Sequence, residues 1–185
     1  MFRATMFSLA LIGVTNPGLA DEVTDTLSSA LQAYEEGDLD YAIEELEYAR
    51  QLLQEMSSDV LTGYLPEAPA GWTREISDEG MNAGLAFLGG GVGVEAEYCR
   101  GAERFTLSIM ADKPMVAGFG PMIANAGLMG MKMHRVGREK FYENDDQLIT
   151  LIDNRILVQA EGAAPEVMIE VLEGIDFAAL EDFGG

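Results

Sequence analysis

The sequence predicts an α+β protein: an N-terminal helical hairpin followed by an antiparallel sheet domain, in the order strand, hairpin, helix, hairpin, helix. Three observations predict it. Apolar residues recur at helical spacing over residues 21–62, with one break at Gly37-Asp38. Residues 63–71 hold two prolines and two glycines, the composition of an extended boundary. Beyond them, β-branched and apolar residues alternate around turn residues, most clearly in Gln147–Gly162, QLITLIDNRILVQAEG.

The first twenty residues, MFRATMFSLALIGVTNPGLA, have the organisation of a secretory signal peptide. Arg3 supplies the basic start, and Met6–Val14 is an apolar run shorter than the roughly 20 residues that span a bilayer. Gly18-Leu19-Ala20 offers small residues for cleavage after Ala20. No cysteine stands directly after that point, where Asp21 follows, which argues against a lipoprotein. The expected setting is the periplasm or the cell exterior. Cleavage would remove one positive charge, Arg3, taking the formal net charge from −21 to −22. So acidic a chain is a poor ligand for phosphate backbones or anionic lipid, so nucleic-acid binding is not expected. No later segment is long and apolar enough to cross a membrane, so stable insertion is not expected either. The charge serves solubility or a basic partner.

Residues 21–62 are expected to form two helices, Asp21–Glu36 and Asp38–Met56. Leu27, Ala30, Leu31 and Tyr34 share one face of the first. Leu39, Ala42, Ile43, Leu46, Ala49, Leu52, Leu53 and Met56 recur along the second. Gly37 can end the first helix and Asp38 can cap the second. On Ala30, Tyr34, Gly37-Asp38, Ala42, Leu46 and Ala49 this stretch resembles a single tetratricopeptide repeat. In that family small residues sit where the helices cross. The resemblance covers about 30 residues, lacks the usual proline after the second helix and is not followed by a second copy. It implies that the hairpin must pack on the sheet domain, on a protein partner or on its own copy. The partner surface is expected around Tyr34, Tyr41 and Tyr48.

Residues 72–185 are expected to form the sheet domain. Trp72 stands at its start as a core plug, with a first strand over Trp72–Ser77. The glycine-rich segment Gly84–Gly93 is followed by a strand rather than a helix, and no Lys-Ser or Lys-Thr closes it, so a nucleotide loop is not expected. Val92–Cys99 and Arg104–Ala111 pair across Gly101-Ala102-Glu103. In the Gln147–Gly162 hairpin, Asp153-Asn154 fits a two-residue turn, which would set Leu151 opposite Ile156 and Ile149 opposite Val158. Pro165 and Glu166 open a closing helix, Gly174 ends it, and Phe177, Leu180 and Phe183 add a last apolar turn. The layout is similar to exported α/β-sandwich domains of the PsbP/Mog1 type. The mature chain also resembles exported bacterial proteins that share its Gly71-Trp72-Thr73 and NRILVQAEG stretches. Both likenesses imply a setting rather than an activity.

Residues 110–134 are rich in methionine, and a weak helix is expected around Met115–Ala126. Three roles are open for the stretch: an adaptable core or lid, a plastic surface for a small apolar ligand or a partner, or a Cu(I) site on Met129, Met131, Met133 and His134, since thioethers favour soft metals. On a strand Met131 and Met133 would point one way and His134 the other, which weighs against the copper site. Lys132, Arg135, Arg138 and Lys140 form the basic cluster of an acidic chain. Catalysis has few reagents. His134 and Cys99 are the sole residues of their types, no Gly-x-Ser-x-Gly elbow occurs, and a zinc hydrolase would need further histidines. The chain is therefore expected to be a non-enzymatic interaction or scaffold module without a cofactor, with a small apolar-ligand or copper carrier as the alternative.

Overall fold

The computed structural model describes residues 17–77, 91–111 and 114–184. The body of the expected signal peptide and the glycine-rich positions 84–90 lie outside the described residues. Two helices lead: α1, Pro17–Glu36, and α2, Leu39–Thr62. Seven strands follow: β1, Thr73–Ile76; β2, Val92–Arg100; β3, Glu103–Ala111; β4, Lys132–Val136; β5, Glu139–Asn144; β6, Gln147–Ile152; and β7, Ile156–Glu161. A helix α3, Pro114–Ala124, connects β3 to β4, and α4, Pro165–Leu172, and α5, Phe177–Glu181, close the chain. The chain is thus α+β. It divides into two compact units, residues 1–53 and 54–185, so the change of unit falls inside α2.

In the first unit the break between helices is made as the sequence suggests. Gly37 adopts φ +84°, its N–H donates to the Tyr34 carbonyl at 3.2 Å, and Asp38 N–H donates to Ala33 at 2.9 Å. Asp38 Oδ1 then accepts from Tyr41 N–H at 3.2 Å and caps α2.

In the second unit all strands pair antiparallel in the order β1-β2-β3-β7-β6-β5-β4. Alternation sends Tyr98, Phe105, Leu107, Ile109, Leu148, Ile152, Ile156, Val158 and Phe141 to one face. There they share a core with Met168, Val171 and Leu172 of α4, Leu180 of α5, and Leu61 at the end of α2. The other face is smaller: Ile149 and Leu157 meet Val116 of α3, with Met110, Met122 and Tyr142 around them. Trp72 is buried and sits edge-on to Phe105 at 5.5 Å, so it is a core residue, and Arg100 stacks over its outer face at 4.4 Å.

The extended boundary is pinned to this sheet. Arg74 donates to the carbonyls of Leu65 and Pro66 at 2.9 and 3.0 Å, and the buried Tyr98 hydroxyl donates to Pro66 at 2.6 Å. Burial pushes the Tyr98 phenol up to about 12, against the opposing pull of Arg74. Gly174 completes the contact, since a Cβ there would lie 2.9 Å from the Pro66 side chain.

Two expectations are corrected. The β6–β7 turn does use Asp153 and Asn154 at positive φ, and Arg155 N–H donates to Ile152. Arg155, however, stays out of the ladder, so Leu151 pairs with Leu157 and Ile152 with Ile156. The guanidinium of Arg155 donates instead to the carbonyls of Glu181 and Phe183. That extra residue shifts the register by one and moves Ile149 and Leu151 to the α3 face. The second correction is an added hairpin: residues 132–144, for which no strand pair was expected, form β4 and β5.

Candidate interaction surface

The helical hairpin is built small inside and large outside. Val23, Ala30, Ala33, Ala42, Ala49 and Leu52 are buried, four of the six being alanine. Leu31, Tyr34, Ile43 and Leu46 are 59%, 65%, 60% and 52% exposed. The cause is positional. Leu27, Ala30, Leu31 and Tyr34 follow the i, i+3, i+4, i+7 spacing on α1, and Leu39, Ala42, Ile43 and Leu46 repeat it on α2. Each quartet makes one stripe, and in each the alanine sits innermost. The two stripes together line a single apolar groove of about 390 Å³.

The expected tyrosines are divided by this geometry. Tyr34 lines the groove. Tyr41 lines a different, more polar hollow with Gln32, Glu36 and Asp38. There the Glu45 carboxylate, accepting a hydrogen bond from the Tyr41 hydroxyl, holds that phenol above its ordinary range. Tyr48 donates its hydroxyl to Glu22 Oε1 at 2.6 Å. The three therefore do not form one surface. The residues that do gather, Leu27, Leu31, Leu39, Ile43 and Leu46, were legible as a helical stripe but resemble core positions in the sequence.

The methionine stretch is similarly divided. Met110 and Met122 pack against the α3 side of the sheet. Met129 and Met133 are exposed and Met131 is half-buried. Met133 pairs with Tyr142, whereas His134 pairs with Phe141 on the opposite face. His134 Nε2 lies 2.6 Å from Glu143 Oε2, with Lys132 3.5 Å from the same carboxylate oxygen. The hydrogen bond to His134 chiefly, and then Lys132, hold Glu143 below the usual carboxylate range against the effect of partial burial. Met133 and His134 thus cannot reach one ion from the strand. No group of three or more His, Cys, Asp or Glu able to hold a metal ion occurs among the described residues.

Cys99 and His134, the scarce nucleophile and base, are kept apart. They lie on β2 and β4, five strand spacings distant in the sheet order, or roughly 24 Å at about 4.8 Å per strand. One concavity was missed in the sequence. An open trough of about 990 Å³ lies at one end of the sheet, lined by Glu97, Glu103, Asp145, Asp146 and Glu161 with Arg104 among them. Glu161 accepts hydrogen bonds from Gln147 and Gln159 at 2.7 and 3.1 Å. These carboxylates come from β2, β3, β7 and the β5–β6 turn, so only the sheet order could have shown them together. Among the described residues, no helix is long and apolar enough to cross a membrane. No protein-family model, curated protein or solved structure matches the chain.

Proposed function

We propose that the chain is an exported, non-enzymatic interaction module, in which the helical hairpin docks a protein partner and the sheet domain serves as its scaffold. The observation that carries this reading is the inverted hairpin: alanines within and an apolar groove of leucine, isoleucine and tyrosine facing outward. Apolar surface gathered in one groove, rather than scattered singly, marks a docking face. The separation of Cys99 from His134 supports a role other than thiol chemistry. The alternative, a small apolar-ligand or Cu(I) carrier on residues 110–134, has less behind it, because Met110 and Met122 are committed to packing and Met133 and His134 diverge.

The test is capture from an extract of the expected compartment by the full mature chain and by its Leu31→Ser/Ile43→Ser variant. A partner retained by the first and lost by the second is the expected result. Equal recovery would remove the hairpin from the interaction. Mass spectrometry of the protein recovered from cells making the whole chain should find Asp21 as its first residue, and an intact Met1 on a cytosolic product would end the case for export.

A further inference from the structure

We infer that the groove of the helical hairpin takes a basic amphipathic helix: one apolar ridge of the partner seated between α1 and α2, with Lys or Arg side chains on either flank. The inference rests on the docking role proposed above and adds the chemistry of the occupant.

Shape selects a helix. Each apolar stripe runs from Leu27 to Tyr34 or from Leu39 to Leu46, about 10 Å at a rise of 1.5 Å per residue. That length matches two turns of an incoming helix, which would present its own i, i+3, i+4 and i+7 side chains. An extended peptide gains affinity by pairing its backbone with a sheet edge. The walls of this groove are helices, whose backbone groups are already bonded along their own axes. They give an extended strand nothing to pair with.

Charge selects the flanks. Residues 17–53 carry Arg50 as their sole basic side chain against ten carboxylates. Arg50 is itself bonded to Glu47 at 2.9 Å. One residue beyond the groove tyrosine stands Glu35, and beside Leu39 and Leu46 stand Asp40 and Glu47, all exposed. On the helical wheel these three lie at the outer margins of the two stripes. A partner with basic flanks would meet opposite charge along both margins. A second copy of this chain would bring the same carboxylates against them, and like charges set face to face oppose association. The chain's net charge of −21 adds to that penalty at longer range.

The probes are two labelled 18-residue amphipathic peptides with the same leucine ridge, one flanked by lysine and one by glutamate. They are titrated into the full mature chain and read by fluorescence anisotropy. The lysine peptide should bind saturably, and Leu31→Ser/Ile43→Ser should weaken it by at least about tenfold, the loss expected from two buried aliphatic side chains. Glu35→Gln/Asp40→Asn should weaken it severalfold, and the glutamate peptide should fail to bind. The exchanged residues are exposed, and far-UV circular dichroism of each variant checks that the helices persist. Binding of the lysine peptide that ignores Leu31→Ser/Ile43→Ser would show diffuse charge attraction and overturn the proposal. Equal binding of the two peptides, or none by the lysine peptide, would overturn the basic helix while leaving the docking role to the capture test. A micromolar dimer in sedimentation analysis, abolished by Leu31→Ser/Ile43→Ser, would assign the groove to a second copy instead.

Discussion

The helical hairpin and the sheet unit sort their side chains by opposite rules. In the sheet unit the large residues are inside: Tyr98, Phe105, Phe141, Leu107 and Ile109 are almost wholly buried. In the hairpin the small ones are inside, and Leu31, Tyr34, Ile43 and Leu46 face outward. The sheet unit buries a continuous cluster of large apolar side chains drawn from its strands and closing helices. An alanine seam removes little apolar area, and a body of fewer than about 40 residues seldom holds together on such a core alone. The difference separates a unit whose large apolar side chains are enclosed from one that leaves them exposed along a groove.

The sharpest way to break this comparison is to truncate one residue on each side of it. Phe105 is stacked on Tyr98 at 5.3 Å and meets Trp72 edge-on. Phe105→Ala should cost about 3–5 kcal/mol, the usual range for an enclosed aromatic, seen as a fall in the urea midpoint. A cost under about 1 kcal/mol would mean that the sheet core is loose. Next in size, Ala49→Leu should destabilise the hairpin by about 1–3 kcal/mol through overpacking. Ala49 is 2% exposed, so the added atoms have nowhere to go. The loss should appear in helical circular dichroism while the near-ultraviolet signal of Trp72 persists. Leu31→Ser should change stability by less than about 0.5 kcal/mol, the outcome for a residue that waits on a partner. A loss of 2 kcal/mol there would show that Leu31 already has a cover and would erase the contrast.

Much of this arrangement was legible in the sequence, for reasons that differ by region. The hairpin break needed only Gly37 and Asp38, whose backbone and capping preferences are local. The β2–β3 pair was legible from Phe105, Leu107 and Ile109 alternating with Thr106 and Ser108. The β4–β5 pair was not, because lysine, arginine and glutamate dilute its apolar alternation to Val136 and Phe141. The register of β6–β7 was misjudged for a tertiary reason. The Asp153-Asn154 turn is local, but what draws Arg155 out of the ladder is a pair of carbonyls at residues 181 and 183. The candidate surface was half legible. Helical spacing gave the stripes on α1 and α2, yet spacing alone does not tell a buried stripe from an exposed one. It likewise could not show that Tyr34 and Tyr41 open on different hollows.

The smallest expected effect lies at the edge of the sheet, where the rule of large residues inside is weakest. Met133 is exposed there, and His134 faces Glu143 across the strand pair. The folded chain holds the Glu143 carboxyl below its ordinary range, chiefly through His134. The unfolded chain therefore takes up this proton first as pH falls from neutrality. The contribution is present above the ordinary carboxylate pKa of about 4.3 and is lost as pH drops through the lower, folded value. Glu143→Gln lacks a titrating group at this position. The gap in urea midpoint between the natural chain and the variant should therefore narrow as pH falls from about 5 to about 3, the range in which the carboxylate takes up its proton. A gap unchanged down to pH 3 would show that the carboxylate contributes through shape and neutral hydrogen bonding. His134 would then have no electrostatic part in fastening β4 to β5.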